Sequence, residues 1–90
     1  MKTFTFHNDP GHGWLEVTQP DLDDLLLTYV DFSAYSYTDG QRLYLEEDCD
    51  AGIFLNAYAA KYGRDSFRIT ETHTNRDSFI RALRRNPVGG

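Results

Sequence analysis

The chain has 90 residues, of which 40% are apolar, thirteen aromatics among them, and it carries a net charge of −5. That length suits one domain and leaves no room for two, and the aromatic content is too high for a disordered chain. Cys49 is the only cysteine, which excludes an internal disulfide, and no run approaches the roughly 20 apolar residues that span a bilayer.

Residues 2–6 alternate, with Phe4 and Phe6 separated by threonines, as a half-buried strand requires. Asn8-Asp9-Pro10-Gly11 is a turn signal, and Trp14 to Val17 resumes a strand, so the first elements predict a hairpin. Thr18 is placed to cap a helix with Pro20 and Asp21 in its first turn and Val17 and Leu22 as a hydrophobic staple. Leu22, Leu25, Leu26, Tyr29 and Val30 follow at helical spacing and predict one buried stripe. Phe32 to Tyr37 and Arg42 to Glu46 read as strands around Asp39-Gly40, a strong hairpin signal. A two-residue turn there sets Tyr37 opposite Arg42 and Tyr35 opposite Tyr44. One face then carries Tyr35, Tyr37, Arg42 and Tyr44, and the other Ala34, Ser36, Leu43 and Leu45.

Asp48 or Asp50 is expected to cap a second helix with Ala51, Phe54, Leu55, Tyr58 and Tyr62 on its buried side and Gly63 at its end. Phe67 to Thr74 predicts a last strand, and Asp77 to Arg85 a short basic helix stopped by Pro87. The expected architecture is an α+β single domain over residues 1–90. Its order is ββαββαβ with a possible short C-terminal helix, two helices packed on one face of a mainly antiparallel sheet, and residues 86–90 as a flexible tail. A cytoplasmic location is expected, because the N-terminus has no signal-peptide apolar run and the cysteine usage does not point to an oxidising compartment.

Charge is unevenly distributed. Residues 1–50 hold eleven of the fourteen acids against Lys2 and Arg42, while residues 51–90 hold three acids against seven bases. The acidic half disfavours direct binding of nucleic acid, whose phosphates need basic neutralisation, and suits a basic groove on another protein. The same charges also serve simply to solvate opposite faces.

Four clusters could carry chemistry. His7, Asp9 and His12 are weak candidates for a divalent metal, with His73 available to complete the set, although Asp, Pro and Gly there are also what a turn needs. Glu46, Glu47, Asp48 and Asp50 could form a partner-binding patch or hold a hard cation; a helix N-terminus accounts for Asp48 and Asp50 but not for the two glutamates. Cys49, flanked by acids, is expected to be a buried, unreactive thiol. Tyr35, Tyr37 and Tyr44 with Arg42 have the composition of an interface hot spot, unless another part of the chain covers them. Arg76, Arg81, Arg84 and Arg85 are a thin nucleic-acid signal with few aromatics interleaved, and their other use is to neutralise the acidic half. No glycine-rich phosphate loop, nucleophile elbow or zinc-finger spacing is present, so neither a catalytic residue nor a cofactor is expected.

The blocks His7-Asn8-Asp9-Pro10-Gly11-His12-Gly13-Trp14-Leu15-Glu16-Val17, Tyr35-Ser36-Tyr37 and Tyr44-Leu45-Glu46-Glu47-Asp48-Cys49-Asp50-Ala51 resemble a family of small proteins encoded by bacteriophages, plasmids and neighbouring bacterial regions. His73-Thr74-Asn75 and Ser78-Phe79-Ile80-Arg81 resemble that family's C-terminal segment. The resemblance implies a mobile-element context and, by analogy with other small acidic proteins of such elements, an inhibitor of host defence. The anti-CRISPR type binds a surveillance complex and blocks its nucleic-acid-binding site. The surface expected to meet that partner is Asp21, Asp23, Asp24, Asp31, Glu46, Glu47, Asp48 and Asp50, with Tyr35, Tyr37 and Tyr44 as a second contact. The alternatives are a small metal-binding or hydrolytic protein using His7, Asp9 and His12, and a nucleic-acid-binding accessory protein using the arginine-rich end.

Overall fold

Residues 1–87 are described by the computed structural model. The alternating segments on either side of the Asn8–Gly13 turn pair as β1 (Lys2–Asn8) and β2 (Gly13–Thr18), with His7 opposite Trp14 and Thr5 opposite Glu16. On the far side of β2 lies antiparallel β4 (Arg42–Glu46), which sets Leu15 against Leu45 and Val17 against Leu43. β5 (Phe67–His73) joins β1 in parallel. The short β3 (Tyr37–Thr38) pairs with β4, and β6 (Arg84–Arg85) pairs with β3. The result is an α+β fold with a six-stranded mixed sheet in the order β5–β1–β2–β4–β3–β6 and two α-helices, α1 (Gln19–Asp24) and α2 (Asp50–Tyr62).

Because strand side chains alternate, β2 and β4 divide their residues between two faces. Leu15, Val17, Leu43 and Leu45 pack with Phe4, with Leu22 of α1 and with Ala51 and Phe54 of α2. Burial of each large side chain here contributes about 1.5–3 kcal/mol. Trp14 and Tyr44 project from the opposite face and are covered by Ile80 and Leu83 of the C-terminal segment. Both helices therefore lie on one face, as expected, and the chain end covers the other.

Several elements depart from the sequence reading. Thr18 and Asp21 form the expected capping box, but α1 stops at Asp24. Leu26 adopts a left-handed φ of 56°, Leu27 N–H donates to Leu22 O at 2.9 Å and Leu26 N–H to Asp23 O at 3.1 Å. These are the bonds of a Schellman cap, and they substitute Leu27 for Leu26 in the core, leaving Leu26 90% exposed and Tyr29 and Val30 exposed as well. A left-handed leucine costs about 1–2 kcal/mol. Leu26→Gly is expected to raise stability by about 0.5–1 kcal/mol in urea unfolding, once the greater freedom of glycine in the unfolded chain is deducted.

The second hairpin pairs Tyr37 with Tyr44 and Thr38 with Leu43, two residues out of the expected register. Asp39 Oδ1 accepts from both Gln41 N–H (2.9 Å) and Arg42 N–H (2.8 Å), and Thr38 Oγ1 donates to Arg42 O at 2.8 Å. These local bonds widen the loop around Gly40, whose φ is 95°. A shift of two preserves the faces, so the tyrosines stay on their predicted side. Phe32 to Ser36 is not strand; it is pinned by side-chain bonds described below.

α2 begins after Cys49 with no side-chain cap from that residue, and ends at Gly63, whose φ is 100°. Neither Asp48 nor Asp50 caps it. Glu46 instead fastens the turn leading into the helix, accepting from Asp48 N–H (2.8 Å) and from the N–H of the N-cap residue Cys49 (3.1 Å). The expected C-terminal helix is a single 3-10 turn, Phe79–Ala82, followed by β6. Asn86, assigned to the tail, is buried: its Nδ2 donates to Tyr29 O at 2.9 Å and its N–H to Ser36 O at 2.8 Å. Residues 88–90 of that tail lie outside the described residues.

Candidate functional site

Opposite the helices, an open cleft of about 320 Å³ lies where β2, β4 and the C-terminal segment meet. One wall carries His12 from the β1–β2 turn with Glu46, Asp48 and Cys49 from the β4–α2 junction. Trp14, Tyr35 and Tyr37 supply an aromatic wall, and Arg81 and Arg85 the remaining side. The register of β2 on β4 creates this arrangement, since Trp14 is paired directly with Glu46. Glu47 N–H also donates to Gly13 O at 3.1 Å, which ties the turn to the junction. Gly13 permits the close approach: a Cβ there would lie 2.3 Å from the Phe6 ring.

Asp9 is the anchor of the site. Its side chain has no exposed surface. Oδ2 accepts from Arg81 Nε at 2.6 Å and from Ser78 N–H at 3.0 Å, and Oδ1 from Arg81 Nη2 at 3.0 Å, Gly11 N–H at 2.9 Å and His12 N–H at 3.0 Å. The Arg81 guanidinium, with those backbone donors and against the opposing cost of burial, holds the Asp9 carboxyl far below its ordinary range. Arg81 in turn lies over the Trp14 ring at 5.2 Å, and Arg85 over Tyr37 at 5.6 Å.

The sequence candidates are thus redistributed. His7, Asp9 and His12 do not assemble a metal site. Asp9 is consumed by Arg81, and His7 Nε2 lies 2.9 Å from Glu16 Oε1 with its ring against Tyr44 and Phe79. His73 lines a different hollow beside His7 and Arg76. His12 instead meets Glu46 and Asp48, each offering one ligand atom within 4.8 Å of the others. Cys49 is exposed rather than buried. Among the tyrosines, Tyr44 is 1% exposed and closed to a partner, Tyr37 is half-buried and Tyr35 is 65% exposed. The chain end covers most of that face because Ile80 and Leu83 complete its apolar packing.

The acids do not form one patch. Asp50 is buried, with Oδ2 accepting from Ser33 N–H (2.9 Å), Ser33 Oγ (2.7 Å) and Ser36 Oγ. Glu46 is buried, its carboxylate bonded to the turn that leads into α2. Asp21 pairs with Lys2 at 2.9 Å, Asp23 accepts from Gln19, and Asp31 accepts from Thr28 N–H. Asp24 takes Lys61 Nζ at 2.8 Å and Tyr62 Oη at 2.6 Å at the C-terminal end of α2. Glu47 and Asp48 precede its N-terminal end, roughly 18 Å away along a helix of this length. Of the four arginines, Arg81 serves the intramolecular use considered for it, and Arg76 and Arg84 are exposed.

Comparison with protein-family models, with curated proteins and with solved structures finds no match. Among the described residues, no helix is long and apolar enough to cross a membrane.

Proposed function

We propose that the protein is a non-enzymatic interaction protein of phage or mobile-element origin. In this reading it acts in the cytoplasm of a bacterial host, binding a defence complex, a CRISPR effector foremost, and blocking the basic site that would take nucleic acid. What supports the reading is one juxtaposition: the exposed Tyr35 and the half-buried Tyr37 share a cleft with Glu46 and Asp48, beside exposed Glu47. Aromatic area next to the exposed carboxylates of Glu47 and Asp48 suits contact with a partner's lysine or arginine on the acidic wall, across the cleft from Arg81 and Arg85.

The buried Asp50 and Tyr44 take no part in this surface, and Glu46 contributes by holding the turn that carries Glu47 and Asp48. Asp21, Asp23, Asp24 and Asp31 are outside the cleft and are secondary at most. Charge reversal belongs at Glu47 and Asp48, which no hydrogen bond of their carboxylates ties to the fold among the described residues. Glu47→Lys with Asp48→Lys is expected to weaken capture of the target complex roughly tenfold at low ionic strength, and less at high salt. A pull-down from bacterial lysate in both salts, with mass spectrometry of the retained proteins, reads the effect. Capture of a defence complex that is indifferent to both the reversal and the salt would overturn the acidic-cleft reading.

A further inference from the structure

The carboxylates of Glu46 and Asp48 are neighbours, one buried and one exposed, and among the described residues neither forms an ion pair with a lysine or arginine. Two carboxylates this close are a pair that one divalent cation can bridge. The imidazole of His12, which makes no hydrogen bond among the described residues, supplies a third donor within the same 4.8 Å. The three come from two separate segments, so sequence proximity does not account for their meeting.

We infer that His12, Glu46 and Asp48 form a binding site for one divalent first-row metal ion, with Zn2+ as the preferred occupant. An imidazole nitrogen and two carboxylate oxygens are ligands of the borderline kind that Zn2+ accepts, and three protein ligands with an open fourth position is a recurrent zinc arrangement. The supports around the ligands are already in place. Glu46 is oriented by the Asp48 and Cys49 N–H groups, the His12 backbone by Asp9, and the two segments by the Glu47 N–H bond to Gly13 O. A closure of about 1.5 Å brings a 4.8 Å spacing to the roughly 3.3 Å expected between ligand atoms around a tetrahedral zinc ion, and Asp48, being exposed, is free to supply it.

An unsatisfied polar group lies in a wall of the same cleft. Trp14 lines it, is 2% exposed, and its Nε1–H has no acceptor among the described residues. A buried donor without an acceptor costs about 1–3 kcal/mol. Arg81 and Arg85 on the facing side favour an anion in that position. The metal site rests on ligand geometry and not on the defence-complex reading, but the two share Glu46 and Asp48, and a bound ion would neutralise the charge that reading offers to a basic partner.

The test is calorimetric titration of Zn2+ and Mn2+ into untagged, chelator-stripped full-length protein, repeated on His12→Ala, Asp48→Asn and, as a control, His73→Gln. Both ligand positions are exposed, so these variants should fold, and their unfolding curves verify it. One Zn2+ per chain is expected, held more tightly than Mn2+. His12→Ala and Asp48→Asn should each weaken it roughly 10–100-fold, with His73→Gln unchanged. Absorption of the Co2+-substituted protein adds a geometric readout: weak visible bands of a nitrogen–oxygen site are expected, equal in Cys49→Ser. Absence of Zn2+ uptake, or uptake indifferent to His12 and Asp48, would overturn the site. A thiolate charge-transfer band lost in Cys49→Ser would overturn the ligand set.

Discussion

Asp9→Asn is expected to destabilise the protein by about 3–5 kcal/mol, as breaking a buried ion pair does, a large share of the roughly 5–15 kcal/mol that holds a domain together. The substitution is nearly isosteric, yet it places an amide N–H2 where Arg81 and Ser78 both donate to Oδ2. Those two donors lie on the segment that covers Trp14 and Tyr44, so the effect spreads from the turn to the second apolar cluster. The pH dependence has a definite sign. The Asp9 carboxyl is depressed on folding from an ordinary value of 3.8. Its contribution is therefore present in full above that value and disappears as pH falls through the folded one. Wild-type stability should fall below about pH 4, and the Asp9→Asn curve should be flatter over the same range because the contribution is already gone. Urea denaturation at a series of pH values reads both; a loss under about 1 kcal/mol would mean that the pair does not hold the chain end down.

The second large effect is expected at Asp50→Ala, a loss of about 3 kcal/mol or more, because three donors lose their acceptor and each buried unpaired donor costs about 1–3 kcal/mol. Ser36 Oγ donates to Asp50 and accepts from Glu46 N–H at 3.0 Å, while Ser36 O accepts from Asn86 N–H. One carboxylate thereby fixes the Phe32–Ser36 segment, the end of β4 and the chain end, the three pieces that frame Tyr35 and Tyr37. Ser36→Ala should cost less, about 1–2 kcal/mol, since Ser33 still occupies Asp50. If Asp50→Ala unfolds at wild-type urea concentration, the segment is held by packing of Phe32 and by the Asn86 bonds to Phe32 O, Ser33 O and Ser36 O rather than by Asp50.

These two aspartates show why composition misled the sequence reading. Five acids, Asp9, Asp21, Asp31, Asp39 and Glu46, accept hydrogen bonds from backbone N–H groups of their own turn or helix start. Much of the acidity of the first half is thus structural rather than offered to a partner. The signal was present in part, since Thr18 with Asp21 at capping-box spacing was legible. A carboxylate that fastens the turn four residues ahead of a helix, as Glu46 does before Asp50, has no such spacing rule. The α1 stripe failed for a related reason: helical periodicity identifies apolar residues but is silent about where a left-handed residue ends the helix, and Leu26 is not the glycine that would mark it.

What the sequence by itself determined was local. Alternation specified β1, β2 and β4, Asn8–Gly11 and Asp39-Gly40 the turns, and Thr18 and Gly63 helix ends, and the element order followed as far as β5 but not to β6, because each depends on backbone preferences and the burial period of a few adjacent residues. Only the tertiary structure decided which distant residues meet. His12 reaches Glu46 and Asp48 because β2 pairs with β4 in one register among several, Asp9 faces Arg81 because the chain end folds back over Trp14, and Asp50 turns inward because two serines await it. Such meetings are set by long-range pairing and by the need to satisfy buried polar groups across the whole fold, and no short window of sequence contains them.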